Sequence, residues 1–521
     1  MSGLLFPEMA AAAGSKSPPP LLSLRPYQRQ AVVKVVTILS DARACLVIAA
    51  TGVGKTEIIC ALIDTLDGAM DGALVISPLK DLTAQTAARL RSRGVPCGVE
   101  QGTNRSGECV TVACYNSLLS RGRYQKYLGV TKLVVVDEVH LNYSPRSLEM
   151  LRQFRESGAQ IVGLTASPNR TKGDPLTAFY GPVAFEYHYR QAVEDGWLVP
   201  ARVWMTVVES LDLSAFKSAF GDFDPGKLAT IMQKEKVVQG IAEMIEQHHE
   251  GQPSVVFAAS IKQATLIQEL LHRRGIVASI VHSEMEPDER AYNLYQFENG
   301  DNNIIINVGV LTLGYDFPNI RKLFLARPTS SPNTYIQMFG RGTRALPGVV
   351  DGLATPELRR AAIAKSDKPF FEVFDITDSS RRNDLCTSLV VLRPDIDEEL
   401  ARRTRKRGEH APRLPQEVDA VVEQERQRML AEQAALDALT AEKRMHLKAR
   451  AKLGVYERDP HAPAEVVEKP KNYSYLPFGK RHRGKPLTQV PTGYLQWALR
   501  EASLSKGLRE SIQREVNRRP Q

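Results

Sequence analysis

Short apolar, β-branched runs alternate with longer helical patterns through most of the first 380 residues, and this alternation restricts the chain to a parallel α/β architecture. ACLVIA (44–49), ALVIS (73–77), VTVAC (110–114), LVVVD (133–137) and IVGLT (161–165) form one series. Their apolar residues are consecutive rather than alternating, as expected of strands buried on both faces. SVVFA (254–258), VASIV (277–281), NIIINV (303–308), KLFLA (322–326) and FFEVFD (370–375) form a second series. The expected fold class is therefore α/β, with two tandem parallel sheets flanked by helices and a helical, basic C-terminal region. The irregular, charged span 201–235 is expected to be a linker between the two sheets.

Charge is distributed unevenly. The chain of 521 residues has a formal net charge of +9, but residues 401–521 carry 26 Lys and Arg against 15 Asp and Glu. That surplus favours a polyanionic partner, nucleic acid before membrane, because no basic amphipathic segment has the bulky aromatic face a bilayer surface demands. No apolar run reaches the roughly 18 residues a membrane span needs. None of the six cysteines forms a C-x-x-C pair. The expectation is accordingly no structural zinc, no disulfide frame and a reducing, cytoplasmic setting, with a bacterial or phage-encoded origin. Residues 1–20 are expected to be a flexible arm rather than an export signal.

The strongest chemical signal is Ala49-Ala50-Thr51-Gly52-Val53-Gly54-Lys55-Thr56, set where the first strand hands over to a helix. A strand–loop–helix with glycine at the bend presents successive backbone N–H groups to phosphate oxygens. Lys55 can reach β- and γ-phosphates, and the Thr56 hydroxyl can hold Mg²⁺. Thr51, Gly52, Val53, Gly54, Lys55 and Thr56 are therefore candidate nucleotide-binding residues. At the end of the LVVVD strand stand Asp137, Glu138, Val139 and His140. Asp137 can orient a Mg²⁺ shell and Glu138 can take a proton from an attacking water. The expected cofactors are ATP and Mg²⁺, with Thr56 and Asp137 as metal ligands. Arg341 and Arg344 lie three residues apart, so on a helix they would share a face and point together across a cleft at a γ-phosphate.

With these residues in place, the chain resembles a superfamily 2 DExH-type helicase. Leu24-Arg25-Pro26-Tyr27-Gln28 resembles the Q-type motif, which implies that Gln28, with Arg25 beside it, recognises adenine. Thr165-Ala166-Ser167 resembles motif III, Gly309 to Asp316 (GVLTLGYD) motif V, and Gln337 to Arg344 (QMFGRGTR) motif VI. The resemblance implies two RecA-like domains, at 21–200 and 236–380. It places Gly314 and Asp316 at the nucleotide, and makes Lys55, Asp137, Glu138, His140, Gln337, Arg341 and Arg344 the catalytic set. Asn307 to Asp316, Arg327-Pro328-Thr329, Gly340-Arg341-Gly342 and Asp195 to Pro200 (DGWLVP) are similar to the branch of RadD-type repair helicases and the motor subunits of type I and III restriction enzymes. The implied activity is an ATP-dependent DNA helicase. A double-strand DNA translocase of a restriction, defence or repair complex, an RNA helicase and a nucleotide-dependent adaptor are the alternatives.

Beyond residue 380 the pattern changes. Residues 381–455 are expected to be a basic connector and a long helix over 415–450, whose stripe of Val418, Val422, Met429, Leu436 and Leu439 packs on a neighbour or binds a protein partner. Residues 456–521 form an expected accessory module. Leu476 to Leu487 (LPFGKRHRGKPL) and Val490 to Trp497 (VPTGYLQW) are similar to a small P-F-G-K…Y-L-x-W module of phage and bacterial proteins. Lys480, Arg481, Arg483 and Lys485 between its glycines are candidate phosphate contacts, and Tyr494 and Trp497 are either core or a base-stacking pair.

Overall fold

The structure is a computed structural model. It describes residues 24–378 except 67, 142, 167–175, 209–210, 212, 214–221 and 313, together with 391, 422–431, 486–490, 492–501 and 506–518. Two parallel sheets organise the first compact unit, Met1–Leu430. The first sheet holds β1 (Ala44–Ala49), β2 (Ala73–Ser77), β3 (Gly98–Glu100), β4 (Val110–Cys114), β5 (Leu133–Val136), β6 (Gln160–Thr165) and β7 (Val183–Tyr187) in the order β3-β4-β2-β5-β6-β1-β7. The second holds β8 (Ala201–Val208), β9 (Ser254–Phe257), β10 (Ser279–His282), β11 (Ile304–Val308), β12 (Lys322–Leu325) and β13 (Phe371–Asp378) in the order β10-β11-β9-β12-β13-β8. The strands read from the sequence fall within a residue or two of these bounds, apart from the longer β13. β3, β7 and β8 are additional.

The span 201–235, read above as a linker, opens with a strand. All eight residues of β8 pair in register with β13, Ala201 against Phe371 and Val208 against Asp378. β8 is an edge strand with one neighbour, so its sequence ARVWMTVV is not held to the uniformly apolar pattern of a central strand. The helix Pro225–Met232 follows, with Asp224 accepting from Lys227 N–H at 2.8 Å as its cap.

Crossover helices cover both faces of each sheet. The helix Pro26–Asp41 packs Ala31, Val32, Val35 and Leu39 inward against β1 and β7. The helix Pro145–Glu156 begins with Ser144 as cap and proline at its first position, and buries Met150, Leu151 and Phe154 on the opposite face. In the second sheet, the helix Pro332–Phe339 is capped by Ser331 and buries Tyr335, Met338 and Phe339.

Of the expected 415–450 helix, residues 422–431 are described and helical. Val422 is fully buried in the main core cluster, and Met429 packs against it. Val418, Leu436 and Leu439 lie outside the described residues. The second compact unit, Ala431–Gln521, has a small core of Leu487, Val490, Leu495 and Ile512 between the helices Thr492–Glu501 and Lys506–Arg518. Residues 476–485 and the side chains of Tyr494 and Trp497 are outside the described set.

Phe154 has no solvent exposure and sits among Met150, Leu151 and Ile161. Phe154→Ala should cost about 3–5 kcal/mol and lower the urea midpoint of the transition reporting on the first sheet. An unchanged midpoint would contradict the packing described.

Candidate active site

The loop after β1 turns sharply, with Gly52 at φ +91° and Gly54 at φ +79°, conformations that side chains rarely adopt. The helix Lys55–Thr65 starts directly after it. The loop is tied down by the residues of the Leu24–Gln28 motif. Tyr27 Oη donates to Val53 O at 2.7 Å and Gln28 Nε2 to the same oxygen at 3.0 Å. Gln28 Oε1 in turn accepts from Arg25 N–H at 3.0 Å. Both ends of the Gln28 amide are thus engaged by backbone, so an adenine would have to take over one of these bonds.

Lys55 Nζ lies 3.1 Å from Glu138 Oε1 and donates to Ala49 O at 3.4 Å. Asp137 and Glu138 follow β5 and are both buried. Glu138 is one of three described non-glycine residues at positive φ, +46°, a strained conformation of the kind that collects at functional sites. Its N–H donates to Asp137 Oδ1 at 3.0 Å. Burial pushes the Asp137 carboxyl up to about 7, and the charge of Glu138 adds to the shift. Burial also acts to raise Glu138, but the Lys55 ammonium together with His140 and the Gln337 side chain outweighs it and holds Glu138 low. His140 Nδ1 bridges Thr165 Oγ1 at 3.0 Å and Glu138 Oε2 at 3.5 Å, linking the ends of β5 and β6. Burial favours its neutral form against the pull of Glu138. Ser167, the last residue of the motif III stretch, is outside the described residues.

The second lobe brings Gln337, Arg341 and Arg344 to this cleft. The two arginines do not share a helical face as the spacing suggested, because the helix ends at Phe339. Gly340 caps its C-terminus, and a Cβ at Gly342 would lie 2.2 Å from the Phe371 ring, so the chain there passes close against β13. Arg344 instead forms an antiparallel bridge with Leu198 of the junction between lobes. Arg341 donates to Tyr315 O and, at 3.3 Å, to Gln337 O. Burial lowers its pKa and the charge of Glu138 opposes that shift, while the Gln337 side chain also acts on Glu138. Arg344 pairs with Asp316, and its Cγ comes within 3.4 Å of where a Gly52 Cβ would be. Gly314 belongs to the same closure: a Cβ there would lie 2.8 Å from Leu82 on the helix Lys80–Ser92.

Several contributors had no signal in the motif spacing. Lys368, fully buried, donates to Pro318 O at 2.7 Å and Arg344 O at 2.9 Å. The Trp197 ring, already noted within DGWLVP, carries the guanidinium of Arg25 at 4.5 Å and that of Arg359 at 3.9 Å. Thr343 Oγ1 donates across the lobes to Thr51 O at 3.3 Å. Each pairs residues more than 20 positions apart, beyond the reach of a local pattern.

Thr51 Oγ1, Glu138 Oε2, His140 Nε2 and Gln337 Nε2 are buried without a hydrogen-bond partner. Buried polar atoms are normally satisfied, and these four, out of eleven such side-chain atoms among the described residues, are compatible with a polar ligand such as a phosphate chain. Thr56 and Asp137 supply the hard oxygen donors a Mg²⁺ ion prefers.

Two family profiles match the chain: "Type III restriction enzyme, res subunit" over residues 21–170 and "Helicase conserved C-terminal domain" over 234–346. A candidate ATP-dependent helicase of Saccharomyces cerevisiae, IRC3, is 27% identical over 343 residues, covering 62% of this chain and 49% of that protein. A candidate mitochondrial ATP-dependent helicase of Schizosaccharomyces pombe, irc3, is 29% identical over 352 residues, covering 64% and 57%. The chain therefore spans about half the length of these relatives. The fragment structure of a candidate HsdR subunit of a type I restriction enzyme from Vibrio vulnificus YJ016 superposes with a TM-score of 0.53 at 22% identity, covering 73% of this chain and 68% of that one. That likeness establishes the fold, two tandem α/β lobes.

Gln28→Leu leaves the Arg25 N–H without its acceptor and removes one of two donors from Val53 O. The expected loss is about 1–3 kcal/mol in chemical denaturation. A variant as stable as wild type would remove Gln28 from the support of the loop.

Proposed function

The chain belongs to the superfamily 2 helicases, in the branch of the type III restriction res subunit, and from that premise we propose that it hydrolyses ATP between its two lobes and couples each cycle to movement along DNA and separation of its strands. The observation that carries the reading is the meeting of Lys55, Glu138, Gln337 and Arg341 in one buried cleft built from both lobes.

In this reading the N–H groups of the Thr51–Gly54 loop and Lys55 bind the β- and γ-phosphates. Glu138, kept ionised by Lys55, takes the proton of the attacking water. Arg341 and Arg344 reach charge that develops on the γ-phosphoryl oxygens, with Arg344 exchanging Asp316 for phosphate. Thr56 and Asp137 would hold a magnesium ion, whose charge would offset that of the phosphates. His140 and Thr165 connect Glu138 to the end of β6, the route by which hydrolysis would be felt at the nucleic-acid surface.

DNA is favoured over RNA by the match of the first lobe to a restriction-enzyme family and by the basic surplus of residues 401–521. A 24% identical rice protein described as a DEAD-box RNA helicase makes RNA the competing substrate.

ATP turnover should rise with DNA and not with RNA. Lys55→Ala should abolish it, and Arg341→Ala should lower it by about 10³-fold or more. Turnover that responds to RNA alone would overturn the DNA assignment. Displacement of a strand from a forked duplex, set against displacement of the third strand of a triplex, separates unwinding from duplex translocation. Replacing Lys480, Arg481, Arg483 and Lys485 with glutamine should flatten the salt dependence of DNA binding by roughly 0.9 in log–log slope for each phosphate no longer neutralised. An unchanged slope would exclude that cluster from the DNA interface.

A further inference from the structure

Thr343 lies in the second lobe, is almost fully buried, and reaches the backbone of the phosphate-binding loop in the first. Its hydroxyl donates to Thr51 O at 3.3 Å and shares that proton with Gly340 O at 3.0 Å. The Thr343 carbonyl accepts from Val199 N–H at 2.8 Å, which fixes the residue from the opposite side. Two glycines make this approach possible. A Cβ at Gly52 would lie 2.8 Å from Thr343 Oγ1, and one at Gly340 would lie 2.5 Å from Thr51 Cβ and Cγ2. Each lobe thus contributes one threonine and one glycine, and each threonine occupies the space left by the other lobe's glycine.

We propose that Thr343 is a positioning residue that sets the Thr51–Gly52 peptide of the phosphate-binding loop whenever the lobes close. This rests on the ATPase reading above. In a planar trans peptide the C=O and the following N–H point in opposite directions. Holding the Thr51 carbonyl on Thr343 therefore also fixes the direction of the Gly52 N–H, one of the loop groups that reading assigns to phosphate. Gly52, at φ +91°, adds little resistance of its own to rotation of that peptide. The hydroxyl supplies the missing constraint, and it does so across the cleft, so an ordered loop and closed lobes become one event. Thr343 touches neither the reacting phosphate nor the water.

The test compares three variants of the full chain in DNA-stimulated ATP turnover. Thr343→Val keeps the shape of the side chain without the donor, Thr343→Ser keeps the donor, and Thr343→Ala removes donor and methyl together. Because the bond spans the lobes and acts through their closure, Val and Ala should lower kcat by about tenfold with KM for ATP changed less than about twofold. Ser should restore kcat to within about twofold of wild type. In a parallel titration with fluorescent ADP, wild type and Ser should bind more tightly when beryllium fluoride is present, and Val and Ala should lose that preference. Should Val fail to fold, the Ser and Ala pair carries the same comparison. Wild-type kcat in Val or Ala, or a Ser variant as slow as Ala, would overturn the inference. A wild-type chain that neither binds nucleotide nor hydrolyses ATP sinks the motor reading and this inference with it, whereas equal turnover in wild type and Val sinks this inference alone.

Discussion

Parallel strands return to the same end of a sheet only through crossovers, so every loop that follows a strand opens at one edge. That constraint explains which residues can meet. In the first sheet β5, β6 and β1 are consecutive neighbours. With strands about 4.8 Å apart, the loop after β1 and the acids after β5 are separated by roughly 10 Å. Only long side chains close such a gap, and Lys55 and Glu138 do so at 3.1 Å. The shorter step from β5 to β6 is bridged by His140 and Thr165 at 3.0 Å. Side-chain length at each position follows from strand order.

The second lobe answers with cations that are costly to place. Lys368 is buried and Arg341 half-buried, and burial works against the charged form of each. Backbone carbonyls offset part of that cost: Tyr315 O and Gln337 O for Arg341, and Pro318 O and Arg344 O for Lys368. Carbonyls supply hydrogen bonds without a full negative charge. Arg341 is therefore held in place while its charge stays available to a phosphate, which a direct carboxylate partner would have neutralised. Arg344 differs, because Asp316 already pairs with it. In the proposed cycle, engagement with phosphate would require Arg344 to exchange that partner, which Arg341 has no need to do.

What was legible in the sequence is what a few adjacent residues determine. Central strands buried on both faces are apolar at most positions, and a phosphate-binding loop needs its glycines and lysine in one short run. Edge strands β7 and β8 escaped because one open side relaxes the pattern: Glu186 is exposed within β7, and Arg202 and Trp204 interrupt β8. The end of the Pro332–Phe339 helix escaped for a different reason. The spacing of Arg341 and Arg344 was read as helical, although the helix ends at Phe339 with Gly340 as its cap, and the close fit of Gly342 against Phe371 is a contact nearly thirty residues away. Lys368, and the role of Thr343 within the QMFGRGTR stretch, were not legible because their partners are backbone oxygens, which carry no sequence signature.

The junction that joins the lobes is stitched to both. Asp195 O accepts from Arg359 Nε at 2.8 Å, Val199 N–H donates to Thr343 O, and Ala201 enters the second sheet as the first residue of β8. Trp197 stands between Arg25 of the first lobe and Arg359 of the second. A guanidinium on an aromatic face is held by a broad quadrupolar attraction, without the narrow angular demand of a hydrogen bond. Such contacts tolerate a few degrees of rotation that would break the Thr343–Thr51 bond. The two kinds of contact therefore divide the work. The stack on Trp197 would keep the lobes associated were they to turn, and the hydrogen bonds at the cleft hold the orientation described here.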